Sequence, residues 1–408
     1  MKIQRTIPPA AAPLDWRDLG RGVTGLFSNR VSAGRVEAEM KAYFGVKHLF
    51  LVSSGKAALT LILLALKSLS PKREVVIPAY TCFSVPSAVV KAGLDVALCD
   101  LDASTFDFDY RLLEAAVNEK TLCVIPSHLF GIPSEMDRVN AICREKGVYV
   151  VEDAAQAMGG TYKGVKLGTL GDVGFFSLGR GKNITCGSGG IIVTNSDLIA
   201  EAIRRHDHGL EAPRMGETLG ELLQLMLMAL FIRPVFYWFP AGLPFLKLGE
   251  TFFHRDFPVK RLSGAKAGLL RNWRERLERS NQKRAETAAY FREHLQLKTS
   301  KKEDIPYLRL PILMNRREER DRLYALSRKQ GYGLSLMYPA PINEIEEIKD
   351  DFKGSDFPVA KKMAETLFAL PTHPYLSERD KREICALLAK ASPSQDLGWA
   401  ADCSIGNR

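Results

Sequence analysis

Short apolar runs alternate with longer amphipathic stretches along the first two-thirds of the chain. The runs at 75–78, 96–100, 122–126, 148–152, 173–177 and 190–194 are too short for helices and rich in β-branched and aromatic residues, so they predict strands. Between them, 57–69, 110–117, 135–146 and 198–205 read as helices. This alternation predicts an α/β fold with a mostly parallel sheet covered by helices on both faces. In such sheets ligands gather beyond the strand carboxyl ends, and Tyr80, His128 and Asp153 all follow predicted strands.

The pattern changes further on. Leu270, Trp273, Leu277, Ala288, Phe291 and Leu295 recur at roughly helical spacing and predict one long helix over 265–295. A strand at 307–313, a helix at 317–329, a strand at 333–337 and two more helices ending near Lys390 complete a small α+β domain. Ser377 with Asp380 predicts the N-cap of the last helix. The expected division is a large domain over 1–262, a linking helix and small C-terminal domain over 263–392, and a polar tail over 393–408.

One segment fits neither pattern. An apolar insertion at about 215–256 carries Leu222 to Ile232 and, after Arg233-Pro234, a second aromatic-rich run ending at Leu246. Its apolar pieces are each shorter than the roughly 20 residues a membrane-spanning helix needs, and Arg233, Pro234, Pro240 and Pro244 interrupt them. Packing across a subunit contact or against the small domain is the expected role, with peripheral contact of 222–246 with a membrane surface as the alternative.

Composition narrows the class. With 46% hydrophobic residues over 408 positions, the chain can bury a substantial core. The net charge of +10 invites a nucleic-acid reading, but the basic residues are scattered and no nucleic-acid-binding signature accompanies them, so none is expected. Seven cysteines, with no Cys-x-x-Cys pair, point to free thiols in a reducing cytoplasm and to no metal site. The first residues lack the sustained apolar core of a secretory leader.

The sharpest chemical signal is Lys182. It stands among glycines after an apolar run, where the backbone can approach a ligand and few side chains shield the amine. With Asp153 it reads as a pyridoxal phosphate site. A lysine holds the cofactor aldehyde as a Schiff base, and an aspartate keeps the pyridine nitrogen protonated. Upstream, Ser54, Gly55 and Lys56 open a helix after the strand-like run 49–52, and the free N–H groups of a helix start make a phosphate seat.

From 150 to 195 the chain resembles the sugar aminotransferases of the DegT/DnrJ/EryC1/StrS family. The resemblance rests on Glu152-Asp153-Ala154-Ala155-Gln156, Gly171-Asp172-Val173-Gly174, Ser177 and Lys182, in the family's order and spacing. It continues in Ser53-Ser54-Gly55, Pro78-Ala79-Tyr80-Thr81 and His128-Leu129-Phe130-Gly131, breaks between about 210 and 261, and returns at Leu370-Pro371-Thr372-His373-Pro374. It implies the fold of the aspartate aminotransferases (fold type I), pyridoxal 5'-phosphate as cofactor, and a homodimer with a shared active site. It also implies Asp153 at the ring nitrogen, Gln156 near the phenolic oxygen, and Ser177 as a second phosphate hydroxyl.

Three positions depart from the family. Lys56 replaces a threonine, and it either contacts the phosphate or points to solvent. Cys82 stands where relatives place a stacking aromatic, so Phe83 or Tyr80 is expected at the ring, with packing of Phe83 into the core as the alternative. Val259 stands where relatives lend an asparagine to the neighbouring subunit, leaving Lys260 or Arg261 for that contact.

The activity that the resemblance implies is transfer of an amino group, with glutamate as donor, to a nucleotide-linked keto sugar in amino-sugar or polysaccharide biosynthesis. Lys182 speaks against the family's sugar dehydratases, which carry histidine there. Two alternatives stay open: another pyridoxal-phosphate reaction on an amino acid, and an inactive membrane-associated scaffold or regulator of the same fold. Arg30, Arg180 and Arg261 are candidates for a substrate carboxylate.

Overall fold

The computed structural model describes residues 4–27, 29–297 and 305–391. The predicted tail over 393–408, with Cys403, lies outside the described residues.

Strands β1 (His48–Val52), β2 (Glu74–Pro78), β3 (Asp95–Cys99), β4 (Thr121–Val124), β5 (Tyr149–Asp153), β6 (Val173–Ser177) and β7 (Gly190–Thr194) form a seven-stranded sheet in the order β1-β7-β6-β5-β4-β2-β3. From β6 to β3 all neighbours are parallel. β7 runs against both of its neighbours, so β1 points the same way as the parallel set. As a result β1, β2, β4, β5 and β6 release the chain at one edge of the sheet, and the candidate residues collect there.

Alternation along the strands divides the sheet's contacts between two cores. Val75, Ile77, Val151 and Phe175 face one, while Val76, Val124, Val150 and Phe176 face the other. Burial on both faces explains why these strands read as continuous apolar runs. The helix Gly55–Leu69 is apolar almost all round because β-strands and the helices Ser84–Lys91 and Asp197–Asp207 enclose it.

Beyond the sheet, β8 (Arg309–Leu313) pairs antiparallel with β9 (Leu367–Pro371). Leu310, Ile312 and Leu370 of this pair join the same core as Val75 and Phe175, so the C-terminal elements close over the sheet. Asp100, just after β3, accepts hydrogen bonds from the Val359 and Ala360 N–H groups at 3.0 and 2.9 Å. It thereby caps the helix Pro358–Thr366 from the large sheet.

Two predicted elements differ. The helix expected over 265–295 is two helices, Gly264–Leu269 and Trp273–His294, separated at Asn272, whose backbone leaves the helical region. The short helix packs on Trp16–Phe27, and a Cβ on Gly25 would stand 2.3 Å from the Gly264 carbonyl oxygen, an approach that only glycine permits. The stretch 333–337 makes a single bridge, Ser335 to Ala369, instead of a strand. Positive φ at Gly333 and Met337 (74° and 61°) breaks the extended run at both ends, and β9 takes the place beside β8.

The insertion folds as the helix Met215–Phe231, a short turn of helix at Trp238–Ala241 and a 3₁₀ turn at Pro244–Leu246. Thr218, Leu222, Leu225 and Ala229 are buried against the rest of the chain, while Leu219, Leu223 and Leu227 on the other face are exposed. Among the described residues no helix is long and apolar enough to cross a membrane.

Candidate active site

The strand ends enclose a cavity of about 220 Å³. Ser54, Gly55 and Lys56 line it after β1, Thr81 and Cys82 after β2, Ser127 and His128 after β4, Asp153 and Gln156 from β5, and Ser177 and Lys182 from β6. Of the residues expected at the cofactor, Ser54, Gly55, Lys56, Asp153, Gln156, Ser177 and Lys182 line this one cavity, whereas Phe83, Tyr80, Arg180, Lys260 and Arg261 do not.

Asp153 and Glu152 show how strand alternation divides labour. Glu152, at 0% exposure, turns away from the cavity and accepts from the N–H groups of Gly168, Leu170 and Gly171 at 2.5, 2.7 and 3.2 Å. Its Oε1 also lies 2.8 Å from His128 Nε2. Because His128 Nδ1 accepts from the Ser134 N–H at 3.0 Å, the ring proton sits on Nε2 and is donated to Glu152. Asp153 faces the cavity, where the Ala155 N–H and Ser127 Oγ donate to its two oxygens at 3.0 and 3.3 Å. Burial pushes its carboxyl above the ordinary range, and the Ala155 N–H, Lys182 and His128 pull it back. A cationic ring nitrogen in the cavity would reverse that shift.

Lys182 lies in the irregular segment after β6. Burial lowers its pKa, opposed by Cys82 and Asp153 and reinforced by Arg309. A lowered pKa raises the neutral fraction, which is the nucleophilic form. Among the described residues no hydrogen bond engages its amine, whereas its carbonyl accepts from buried Arg284 at 3.3 Å, which fixes the backbone while leaving the side chain available.

The phosphate-type seat is built from close backbone approach. Ser54 caps the helix by accepting from the Ala57 N–H at 3.1 Å, and Gly55 and Lys56, whose N–H groups belong to the helix's first turn, both line the cavity. A Cβ on Gly55 would stand 2.9 Å from Ser177 Cβ, and one on Gly190 would stand 2.2 Å from the Ser54 carbonyl oxygen. Both glycines let three chain segments meet at one point. Lys56 lies at the rim with its amine 4.6 Å from the Phe257 ring centroid, and partial burial lowers its pKa.

Gln156 is tied on both sides, accepting from the Phe130 N–H at 3.1 Å and donating to the Tyr338 hydroxyl at 2.9 Å. Phe83 corrects the stacking expectation. The chain turns helical at Phe83, whose carbonyl accepts from Ser87 Oγ at 2.7 Å, so its ring enters the core while Cys82 faces the cavity. Tyr80 is fully buried and bonded to the Tyr338 backbone. Lys260 and Arg261 are engaged within their own chain, by Glu217 and Asp207. Arg180 is exposed, and the Arg30 side chain lies outside what the structure describes.

Sequence reasoning gave no site role to Thr81, Ser127 or Tyr338. Ser127 had a readable signal, since it directly follows the predicted strand that pointed to His128. Tyr338 had none, because it reaches Gln156 from 182 positions away.

An acid, a lysine of lowered pKa and a helix-start anion seat in one cavity fit pyridoxal phosphate. Comparison with known proteins agrees. Residues 25–389 match the DegT/DnrJ/EryC1/StrS aminotransferase family. A pleiotropic regulatory protein of Geobacillus stearothermophilus is 30% identical over 87% of this chain and 88% of its own. The UDP-2-acetamido-2-deoxy-3-oxo-D-glucuronate aminotransferase of Pseudomonas aeruginosa is 28% identical over 86% and 89%. In fold, the chain is similar to Helicobacter pylori PseC, an aminotransferase of pseudoaminic acid biosynthesis, with a TM-score of 0.76 at 18% identity over 95% of this chain and 99% of that one.

Proposed function

The chain belongs to the DegT/DnrJ/EryC1/StrS aminotransferase family, and from that premise we propose that it transfers an amino group from glutamate to a nucleotide-linked keto sugar with pyridoxal phosphate held at the strand ends. The observation that carries this reading is the meeting of Lys182, Asp153 and the Ser54, Gly55 and Ser177 seat in one cavity. The Pseudomonas relative, named for a UDP-linked 3-oxo sugar acid, supports the acceptor class.

Pyridoxal phosphate, when bound, supplies a ring that withdraws electrons from the carbon bearing the transferred nitrogen. The residues around it have separate tasks. Asp153 holds the proton on the ring nitrogen by charge pairing. The Gly55 and Lys56 N–H groups and the Ser177 hydroxyl receive the phosphate, and Lys56 adds a positive charge at the rim. Lys182 Nζ, made less basic by burial, moves the proton at the carbon bearing the nitrogen. Ser127 and the Ala155 N–H keep the Asp153 carboxylate turned to the ring.

A second copy of the chain covers the exposed apolar face of the insertion in this reading. Leu223 is 56% exposed and Phe245 73%, a degree of exposure that marks an interaction surface. The same segment reaches the cavity wall, where Thr251 Oγ1 lies 3.7 Å from Cys82 Sγ, so the partner would stand beside the site.

The function is tested by incubating the loaded protein with glutamate and a panel of nucleotide-linked keto sugars and following 2-oxoglutarate and amino sugar by mass spectrometry. Stoichiometric appearance of both products is expected from wild type and their loss from Lys182→Ala. Amino-acid turnover that proceeds without any sugar acceptor would replace this reading with a reaction on amino acids.

A further inference from the structure

Arg309 is a cation close to Lys182 and Cys82 of the cavity wall, with no acidic partner among the described residues. It opens β8, and among the described residues its Nη1 meets only the Met337 thioether, with Sδ at 2.9 Å, a weak acceptor. Its Nε is sealed from solvent and makes no hydrogen bond. Among the described residues no aspartate or glutamate forms an ion pair with it. Arginines more deeply buried than Arg309 have oxygen partners for their terminal nitrogens. Arg284 donates to the Leu308 and Ala11 carbonyls, Arg276 to those of Leu269 and Thr185, and Arg320 to that of Ala364 and to Asp321.

The position of Arg309 is as informative as its lack of a partner. Nη2 lies 3.8 Å from the place of a Cβ on Gly181, the residue before Lys182. Tyr338, Tyr237 and Cys82 are the groups that favour its charge, and burial outweighs them. Withdrawing much of a guanidinium from water without a counter-charge is unfavourable. An arrangement of this kind is stable in use when a ligand brings the missing anion.

The phosphate seat described above lies at the helix start, so a second anion is needed to account for Arg309. We infer that Arg309 receives a carboxylate of the amino donor and holds an α-amino acid with its nitrogen toward Lys182. The planar fork of a guanidinium matches a carboxylate with two parallel hydrogen bonds, which orients the donor as well as binding it. This inference rests on the aminotransferase reading.

The test uses full-length protein loaded with pyridoxal phosphate, as wild type, Arg309→Leu and Arg309→Gln, with loading verified by cofactor absorbance and stoichiometry. Each is titrated with glutamate and with propylamine, an amine that lacks a carboxylate, while the cofactor spectrum is followed. Half-saturation by glutamate should rise on the order of a hundredfold in both variants, as expected when one side of a buried charge pair is removed. Propylamine should shift by less than about twofold, because it makes no contact with the guanidinium. The cofactor-free variants should melt no lower than wild type, since an uncompensated charge has been removed. Equal weakening of both probes, an unchanged response to glutamate, or a large loss of melting temperature overturns the assignment. A wild type that takes up cofactor and ignores every amino acid overturns the aminotransferase reading itself, and the Arg309 role with it.

Discussion

Replacing Glu152 by glutamine tests how the site is held in place. The carboxylate is fully buried, and its four hydrogen bonds bring together the 168–171 loop, β5 and His128. Every partner is a donor. An amide group can accept at one atom only, so two partners will face an NH₂ group whichever way the side chain turns. Rotation of the His128 tautomer offers no escape, because Nδ1 is already the acceptor for Ser134. Hydrogen bonds to a charged group contribute about 1.5–3 kcal/mol each, so losing two costs roughly 3–6 kcal/mol. Against a typical total of about 5–15 kcal/mol this is a large fraction. Urea unfolding of cofactor-free Glu152→Gln, followed by circular dichroism, should show a much lower midpoint with an unchanged slope. A midpoint equal to wild type would refute the claim that Glu152 is the anchor beneath Asp153.

Three further outcomes follow from the same geometry. Burial lowers the Lys182 pKa, so the unfolded chain binds the extra proton and wild-type stability rises with pH toward the ordinary lysine value of about 10.4. Cofactor-free Lys182→Met should therefore exceed wild type in thermal stability near neutral pH, with a gap that closes as pH rises; a constant gap would contradict this. Gly55→Ala places a Cβ 2.9 Å from Ser177 Cβ, so it should cost about 1–3 kcal/mol in unfolding experiments and weaken cofactor binding measured by fluorescence titration. Wild type should sediment as a dimer and the double variant Leu223→Glu, Phe239→Glu as a monomer; a monomeric wild type that binds anionic vesicles through this face would show that a bilayer covers it.

The central sheet was legible because its strands are buried on both faces and read as apolar runs regardless of neighbours, as with Val173–Ser177 and Gly190–Thr194. Lys182, Asp153 and Ser177 were legible because their spacing along one segment carries the chemistry. Phe83 was misplaced because whether an aromatic enters a cavity or a core depends on a turn of the backbone at Cys82, which spacing does not encode. The break at Asn272 is tertiary in origin, since Gly264–Leu269 is held against Trp16–Phe27 from nearly the other end of the chain. Arg309 carried a faint signal as a charge at the edge of an apolar strand, but the lack of an acidic partner among the described residues is visible only in three dimensions.

The most direct test of the account is to reduce the pyridoxal-phosphate-loaded protein with borohydride and map the modified peptide by mass spectrometry. The account predicts a phosphopyridoxyl group on Lys182 alone. Modification of another lysine such as Lys56 in its place, or of none, would contradict it.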